Sequence, residues 1–337
     1  MRVLVTGGAG YIGSHTTLAL LQAGYDVVVL DNFSNSSSHS LKRVAKIAER
    51  EAVLIKGDVR DSALLDRLLS EHSVEAVFHF AGLKAVGESV SQPLRYYDNN
   101  VFGSLVLLKA MADFGVFKFV FSSSATVYGE PVRIPLSEAS PVGQPTNPYG
   151  RGKLMVEEIL RDLTVSDPRW RIAILRYFNP VGAHESGLIG EDPYGIPNNL
   201  LPYIAQVAVG KLPELAVFGN DYSTPDGTGV RDYIHVVDLA GGHLRALEAL
   251  QTRTGMHLWN LGTGQGYSVL DIIRAFEAAS GKVVPYRVTS RRAGDIAICY
   301  ADPTKAEREL GWKAQRGLVE MMRDAWRWQS MNPNGYR

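Results

Sequence analysis

The sequence predicts an α/β protein built on a doubly wound parallel sheet, with a smaller, discontinuous α+β lobe supplied mainly by the second half of the chain. Three observations carry that prediction. Across the first half, short β-branched runs alternate with segments of helical periodicity, the pattern of strand–helix–strand crossovers in a parallel sheet. The runs lack polar/apolar alternation, as strands covered on both faces do. A glycine cluster at Gly7, Gly8, Gly10 and Gly13 ends the first run where the first helix should open.

Strands are predicted, in chain order, at 3–6, 27–31, 53–56, 76–80, 117–122 and 172–177, where Val, Ile, Leu and Phe gather in runs of strand length. Helix 12–23 begins as the glycines end. Segments 41–50 and 63–70 space their apolar residues three and four apart. A longer helix is predicted at 100–114, and another opens near Tyr149 before the sixth strand. Beyond residue 178 the texture changes to loops rich in Gly, Pro and Asn, such as Asn179-Pro180-Val181-Gly182 and Gly219-Asn220-Asp221-Tyr222. Helical stretches at 200–209, 239–250, 269–279, 304–310 and 318–329 interrupt them. Residues 1–178 are therefore expected to form a Rossmann-type domain. Residues 179–337 should form mainly a substrate-binding lobe, with about 230–262 returning to the main sheet.

Composition excludes several classes. A chain of 337 residues is long enough to build one large or two modest domains around a substantial core without staples. Its single cysteine cannot form an internal disulfide and fits a reducing compartment. Thirty-five basic against 35 acidic side chains give no electrostatic reason to expect nucleic acid or an anionic membrane as partner. No stretch approaches the roughly 20 apolar residues that span a bilayer, and Val3 to Thr6 is too short for a signal sequence, so a cytoplasmic protein is expected.

The glycines satisfy G-x-G-x-x-G between a strand and a helix, with Gly7, Gly10 and Gly13 placed for a tight turn. Such a turn lets backbone approach a pyrophosphate at the helix N-terminus. The next strand ends at Asp31, 18 residues after Gly13. An acid there accepts hydrogen bonds from a ribose diol and repels a 2'-phosphate, so the pair specifies NAD over NADP. Asp58 and Val59 after the third strand, and Phe80, Ala81 and Gly82 after the fourth, sit at strand C-termini, where open α/β sheets bind ligands. Asp58 alone also reads as a helix cap.

Tyr149 and Lys153 stand four residues apart, one helical turn, on the stripe continued by Val156, Leu160 and Leu163. A solvated lysine would lie on the opposite face. Free tyrosine, with a pKa near 10, is a poor base at neutral pH; a nearby ammonium and a cationic nicotinamide would lower it. Ser122, Ser123 and Ser124 follow the fifth strand. Ser124 is the one expected to face Tyr149, while two of the three can cap local backbone. The eight histidines show no metal-ligand spacing and one cysteine builds no thiolate cage, so no metal is expected. His79, ending a buried strand, reads as a core residue.

These segments, with His79–Ser89, Ser122–Gly129, Arg176–Ala183, Gly229–Val236 and Arg291–Asp295, carry a resemblance over essentially the full length. The chain resembles the extended short-chain dehydrogenase/reductase family and, within it, the sugar-nucleotide 4-epimerases. The resemblance implies that Tyr11, Ile12, Asp31, Asn32, Asn35 and Ser36 contact NAD. It implies the same of Asp58, Val59, Phe80, Ala81, Gly82, Lys84, Asn99, Lys153 and Phe178, with Ser122 and Tyr177 beside them. It places Asn179, Asn199, Leu200, Ala216, Phe218, Arg231, Arg292 and Asp295 around a UDP-sugar. Arg231 and Arg292 would be its diphosphate clamps.

The activity it implies is epimerisation at C4 of UDP-hexoses. Tyr149 would take the hydroxyl proton, Ser124 would assist, and NAD would stay tightly bound. It also implies a homodimer packed through helices near 90–114 and 149–165. A 4,6-dehydratase would need acids beside the serine, and Ser124-Ala125-Thr126-Val127-Tyr128 has none. A cofactor-sensing binding protein would have no need of Tyr149 and Lys153 together. Cys299 is expected to border the sugar pocket, where family members with a small residue also accept N-acetylated sugars. The alternative is that Tyr300 fills that space and restricts the enzyme to plain hexoses.

Overall fold

The computed structural model describes residues 1–292 and 294–336; Ala293, within the Arg291–Asp295 segment, lies outside them. The first half supplies β1 (Arg2–Thr6), β2 (Asp26–Asp31), β3 (Val53–Lys56), β4 (Ala76–His79), β5 (Lys118–Ser124) and β6 (Arg171–Tyr177). Between them lie α1 (Tyr11–Gln22), α2 (Ser38–Ala48), α3 (Ser62–His72), α4 (Val86–Ser91), α5 (Pro93–Tyr96), α6 (Gly103–Asp113) and α7 (Pro148–Ser166). The second half adds β7 (Asn179–Val181), β8 (Leu215–Phe218), β9 (Val230–His235), β10 (Gly255–Leu261), β11 (Gly266–Ser268), β12 (Tyr286–Thr289) and β13 (Ile298–Cys299). Its helices are α8 (Leu200–Ala208), α9 (Val236–Ala249), α10 (Val269–Ser280), α11 (Thr304–Leu310) and α12 (Leu318–Met331).

Seven strands form one parallel sheet in the order β3-β2-β1-β4-β5-β6-β10. Successive residues of each central strand feed opposite cores, which is why the runs read as continuously apolar. Val3, Val5, Val27 and Val29 pack beneath α1, α2 and α9, with Leu18, Leu21, Val44 and Leu247. Leu4, Val28, Leu30 and Val77 pack on the other face under α3, α6 and α7, with Leu65, Leu68, Leu107 and Leu160.

Beyond β6 the chain builds a second region on its own core of Ile204, Tyr233, Ile272, Phe276 and Met322. There β9 pairs with β7, β11 and β13, and β8 pairs with β12. Residues 230–262 divide between the two regions, β9 pairing in the second and β10 in the main sheet. Helix α9 packs on α1, β10 extends the sheet beside β6, and α11 packs against both α9 and β10. Strand β9 stays with the second region because the fully buried Asp232 must satisfy its carboxylate there. It accepts backbone N–H bonds from Thr263, Gly264 and Ala301.

Two further expectations shift. The predicted 100–114 helix is the end of a near-continuous run that starts at α4 and passes through a π-helical turn at Tyr97–Phe102. Strand β5 continues through Ser124 instead of ending at Ser122, so the serines alternate across the sheet.

Candidate active site

The C-terminal ends of β1, β2, β4, β5 and β6 open into one crevice roofed by the second region, with a cavity of about 680 Å³. Of the residues expected to contact cofactor or substrate, all but Asp58 and Cys299 line it. On the sheet side stand the glycine turn, Asp31, Asn32, Ser34 to Ser36, Val59, Phe80 to Gly82, Lys84 and Asn99. Facing them are Asn179, Asn199, Leu200, Ala216, Phe218, Arg231, Arg292 and Asp295.

Asp58 is drawn away by its neighbours. Its carboxylate accepts from Arg60 Nε and Nη2, both at 2.8 Å, and from Asn32 Nδ2 at 2.9 Å. The Arg60 guanidinium holds it well below the usual carboxylate range. It is no helix cap either, since Asp61 caps α3 by accepting from Leu64 N. Cys299 is 7% exposed and packs with Ala125, Val127, Tyr128 and Phe178. Burial pushes its thiol up to about 11. Phe178, from the same cluster, lines the crevice in its place, and Tyr300 does not line it.

Helix α7 delivers Tyr149 and Lys153. Pro148 opens the helix and Asn147 caps it, its side-chain oxygen accepting from Gly150 N at 2.9 Å. Lys153 is 6% exposed; its Nζ donates to the Ser122 carbonyl at 2.5 Å and lies 5.9 Å from the Tyr149 ring centroid. Burial lowers this ammonium to about 8 against the opposing pull of Glu157. Burial also raises the Tyr149 phenol, while the Ser124 hydroxyl favours its ionised form. In the protein alone desolvation dominates at Tyr149, and the Lys153 ammonium is directed to a carbonyl.

The strand alternation sorts the serines. Ser122 and Ser124 line the crevice, whereas Ser123 is buried on the opposite side and donates to Glu157. Ser124 also caps the following turn, accepting from Thr126 N at 3.2 Å and Thr126 Oγ1 at 3.0 Å. Its own proton remains available to the crevice. His79 is a satisfied core residue, bonded to Thr6 Oγ1 and Ser104 Oγ. Among the described residues no cluster of three or more His, Cys, Asp or Glu side chains could hold a metal ion.

The crevice fits a dinucleotide. Helix α1 starts at Gly10 with no side-chain cap and no acid in its first turn, leaving N–H groups free for an anion. A Cβ on Gly13 would sit 2.2 Å from Gly7 O, and one on Gly7, where φ is +71°, would sit 2.7 Å from Ala81 N. The turn therefore keeps the closest backbone approach that glycine permits. Asp31 ends β2 with its carboxylate accepting from Ala9 N, Phe33 N and Ser36 Oγ at 2.8–2.9 Å. It holds the adjoining loop in place and retains lone pairs for a diol.

Three residues that sequence reasoning passed over belong to this site. Glu191 Oε1 accepts from Lys84 Nζ at 2.7 Å and from Asn199 Nδ2 at 2.8 Å. Tyr336 lines the far end of the crevice, its hydroxyl exchanging hydrogen bonds with Gly190. Tyr194 adds a clasp, donating from its hydroxyl to Ser36 O at 2.7 Å. Local spacing marks none of them, because each meets partners distant in sequence.

A parallel sheet with this glycine turn, a Tyr-x-x-x-Lys helix, a strand-end serine and a second region over the crevice defines an extended short-chain dehydrogenase/reductase. The family described as GDP-mannose 4,6 dehydratase matches residues 4–325. A UDP-glucose 4-epimerase of Pasteurella multocida (strain Pm70) is 62% identical over 337 residues, covering 100% of both chains. The crystal structure of UDP-glucose 4-epimerase from Bifidobacterium longum in complex with NAD+ and UDP superposes with a TM-score of 0.98. It is 57% identical and covers 99% of this chain and 100% of that one. The UDP-Glc/GlcNAc 4-epimerase from Campylobacter jejuni has a TM-score of 0.84 at 38% identity, covering 98% of this chain and 99% of that one. The chain belongs to the UDP-glucose 4-epimerase family, within the wider group that shares the GDP-mannose 4,6 dehydratase description.

Proposed function

We propose that this chain is an NAD-dependent isomerase that interconverts UDP-glucose and UDP-galactose by inverting C4 of the hexose. The observation that carries the proposal is the meeting of Tyr149, Lys153 and Ser124 at the middle of a crevice with a dinucleotide cradle on one side and two arginines on the other. NAD, held in the cradle, would supply hydride exchange at C4 of the sugar, the chemistry that inversion there requires. Tyr149 Oη takes the C4 hydroxyl proton and later gives it back. Ser124 Oγ donates to that oxygen, and Lys153, held by Ser122 O, keeps positive charge beside the phenol. Arg231 and Arg292 grip the diphosphate while the sugar turns between the two half-reactions. Asp295 aims Arg292, accepting from its Nη2 at 2.9 Å.

Gly7, Gly10, Tyr11, Ile12 and Gly13 would hold the NAD pyrophosphate, and Asp31 a ribose diol. The main sheet would thus bind the cofactor and the second region the UDP-sugar. The dehydratase alternative lacks an acid next to Ser124, where Ala125 and Thr126 stand. We extend the proposal to UDP-GlcNAc and UDP-GalNAc, because the residue at 299 is a small cysteine in the same buried cluster as the crevice-lining Phe178. The assembly proposed is a homodimer: Leu94, Phe102, Leu105 and Met155 leave large apolar surfaces exposed on adjoining elements α5, α6 and α7 and the π-helical turn. The unpaired buried thiol suits the cytoplasm. No helix among the described residues is long and apolar enough to cross a membrane.

Incubating purified protein with NAD and UDP-galactose and following formation of UDP-glucose tests the reaction. Unchanged UDP-galactose would refute it.

A further inference from the structure

One face of α7 reads three consecutive residues of β5. Residues 149, 153 and 157 stand at successive four-residue steps, so their side chains rise from the same side of the helix. Lys153 Nζ meets the carbonyl of Ser122, and Tyr149 and Ser124 line the crevice together. The third contact is the deepest. Glu157, 1% exposed, accepts at Oε1 from Ser123 Oγ at 2.5 Å and from Arg176 Nε at 3.0 Å, and at Oε2 from Arg176 Nη2 at 2.5 Å.

Arg176 belongs to β6, is 2% exposed, and stacks 4.7 Å from the Tyr128 ring. Tyr128 in turn donates to Asn260 Oδ1 on β10 at 2.7 Å. One carboxylate therefore ties α7 to β5 and β6, with β10 linked through the stack, directly behind the reacting groups. Burying two charges carries a large desolvation penalty, and an apolar pair of similar volume would often serve the fold as well. An ion pair here buys orientation: paired guanidinium and carboxylate groups hold planar, two-point geometry that apolar contacts do not.

We propose that Glu157 is a positioning residue for the reaction, fixing the register of α7 on β5 so that Tyr149 and Ser124 address the same C4 oxygen. The role rests on the proposed epimerisation. It explains why Ser123, which never reaches the crevice, is a serine at all: its hydroxyl is the strand's handle for the helix. Glu157 also faces Lys153 electrostatically. The other titratable or charged groups around that ammonium are Tyr149 on its own helix, His79 from β4, and Arg176 from β6 acting through Glu157. Glu157 favours the protonated lysine against burial. Neutralising it lowers the lysine's proton affinity, and the Arg176 charge left unpaired pushes the same way.

The test is Glu157→Gln and Ser123→Ala in the NAD-loaded enzyme, with wild type measured alongside. Both variants should lower kcat roughly 10- to 100-fold, as slight misplacement of a catalytic group does, while KM for UDP-galactose stays within about twofold. In Glu157→Gln the alkaline limb of the kcat profile should also move to lower pH. In Ser123→Ala, which removes one oxygen and leaves the ion pair intact, that limb should stay in place. A purely structural role predicts lower stability with kcat per folded molecule unchanged and no movement of the limb, and that result overturns the proposal. Should Glu157→Gln not fold, an unaltered kcat in Ser123→Ala overturns it alone. A wild-type chain inert towards UDP-sugars would refute the reaction and this role together; an active wild type matched by both variants refutes the role only.

Discussion

Lys84 and Glu191 form an ion pair across the mouth of the crevice, Nζ to Oε1 at 2.7 Å. Lys84 follows β4 on the cofactor side, while Glu191 belongs to the loop leading to Asn199 and the UDP-sugar side. The same Glu191 oxygen accepts from Asn199 Nδ2. One carboxylate thus spans both halves of the site. Glu191→Ala should weaken UDP binding and NAD retention together. Because Lys84 is nearly half exposed, each effect should be on the order of 1 kcal/mol, roughly fivefold in affinity. Calorimetry with UDP, and NAD content after gel filtration, read the two effects; loss of only one would separate them.

Tyr149→Phe removes the proton acceptor and keeps the ring. Epimerisation should fall by about 10²- to 10⁴-fold with folding and NAD content unchanged. A variant with near wild-type turnover would remove Tyr149 from the chemistry.

The glycine turn separates close approach from mere flexibility. Gly13→Ala would drive a methyl to 2.2 Å from Gly7 O, so α1 must shift and NAD retention should be lost. Gly87→Ala, in α4 with no atom within 4 Å of the new methyl, should leave binding intact and stabilise by up to about 1 kcal/mol. Equal losses in both would contradict the cradle.

Acid should destabilise the cofactor-free protein early. Burial lowers His15 and His79 to about 3 and His243 to about 4. An unfolded chain protonates all three near 6.5, so below that pH it binds protons the native state refuses. Stability should therefore be fully present above pH 6.5 and fall as pH drops towards 4. Its slope should approach roughly 4 kcal/mol per unit if all three contribute. Urea midpoints between pH 7.5 and 5 measure it; a flat series would contradict the assignment.

Cys299→Tyr adds volume behind Phe178 and should push that ring into the crevice at a cost of about 1–3 kcal/mol in stability. Turnover of UDP-GalNAc should drop more than that of UDP-galactose. Equal effects, or a wild type that ignores N-acetylated sugars, would restrict the enzyme to hexoses.

What proved legible in the sequence was local. Gly7 to Gly13, Asp31, and Tyr149 with Lys153 each declare themselves within one turn or one strand–helix unit, because a single element fixes their geometry. Six of the seven main-sheet strands were readable for the same reason, their apolar runs being of strand length; β10, made by distant chain, was not marked as a strand. A strand-end position says nothing about Arg60 two residues on from Asp58, which pairs with its carboxylate. Nor does local spacing show that Cys299, on a strand of two residues paired with β9, is buried. Glu191, Tyr336 and Glu157 were invisible because their partners are remote; Lys84 and Glu191 alone are 107 residues apart. The short strands of the second region are defined by such distant partners too, and only the helices there announced themselves.

The chain leaves the main sheet after β6, comes back as α9 and β10, leaves again, and comes back once more with α11 before ending in α12. A fragment stopping at residue 178 would present β6 as a bare edge and α1 without its cover, so it should aggregate instead of folding. The repeated crossings also tie the two walls of the crevice like stitches along a seam. Walls tied in this way are expected to keep a fixed separation while the 190–199 loop, which lines the crevice, adjusts to the sugar nucleotide. A spin-label pair spanning the walls should report an unchanged distance with and without UDP, while a label on residue 196 should lose mobility.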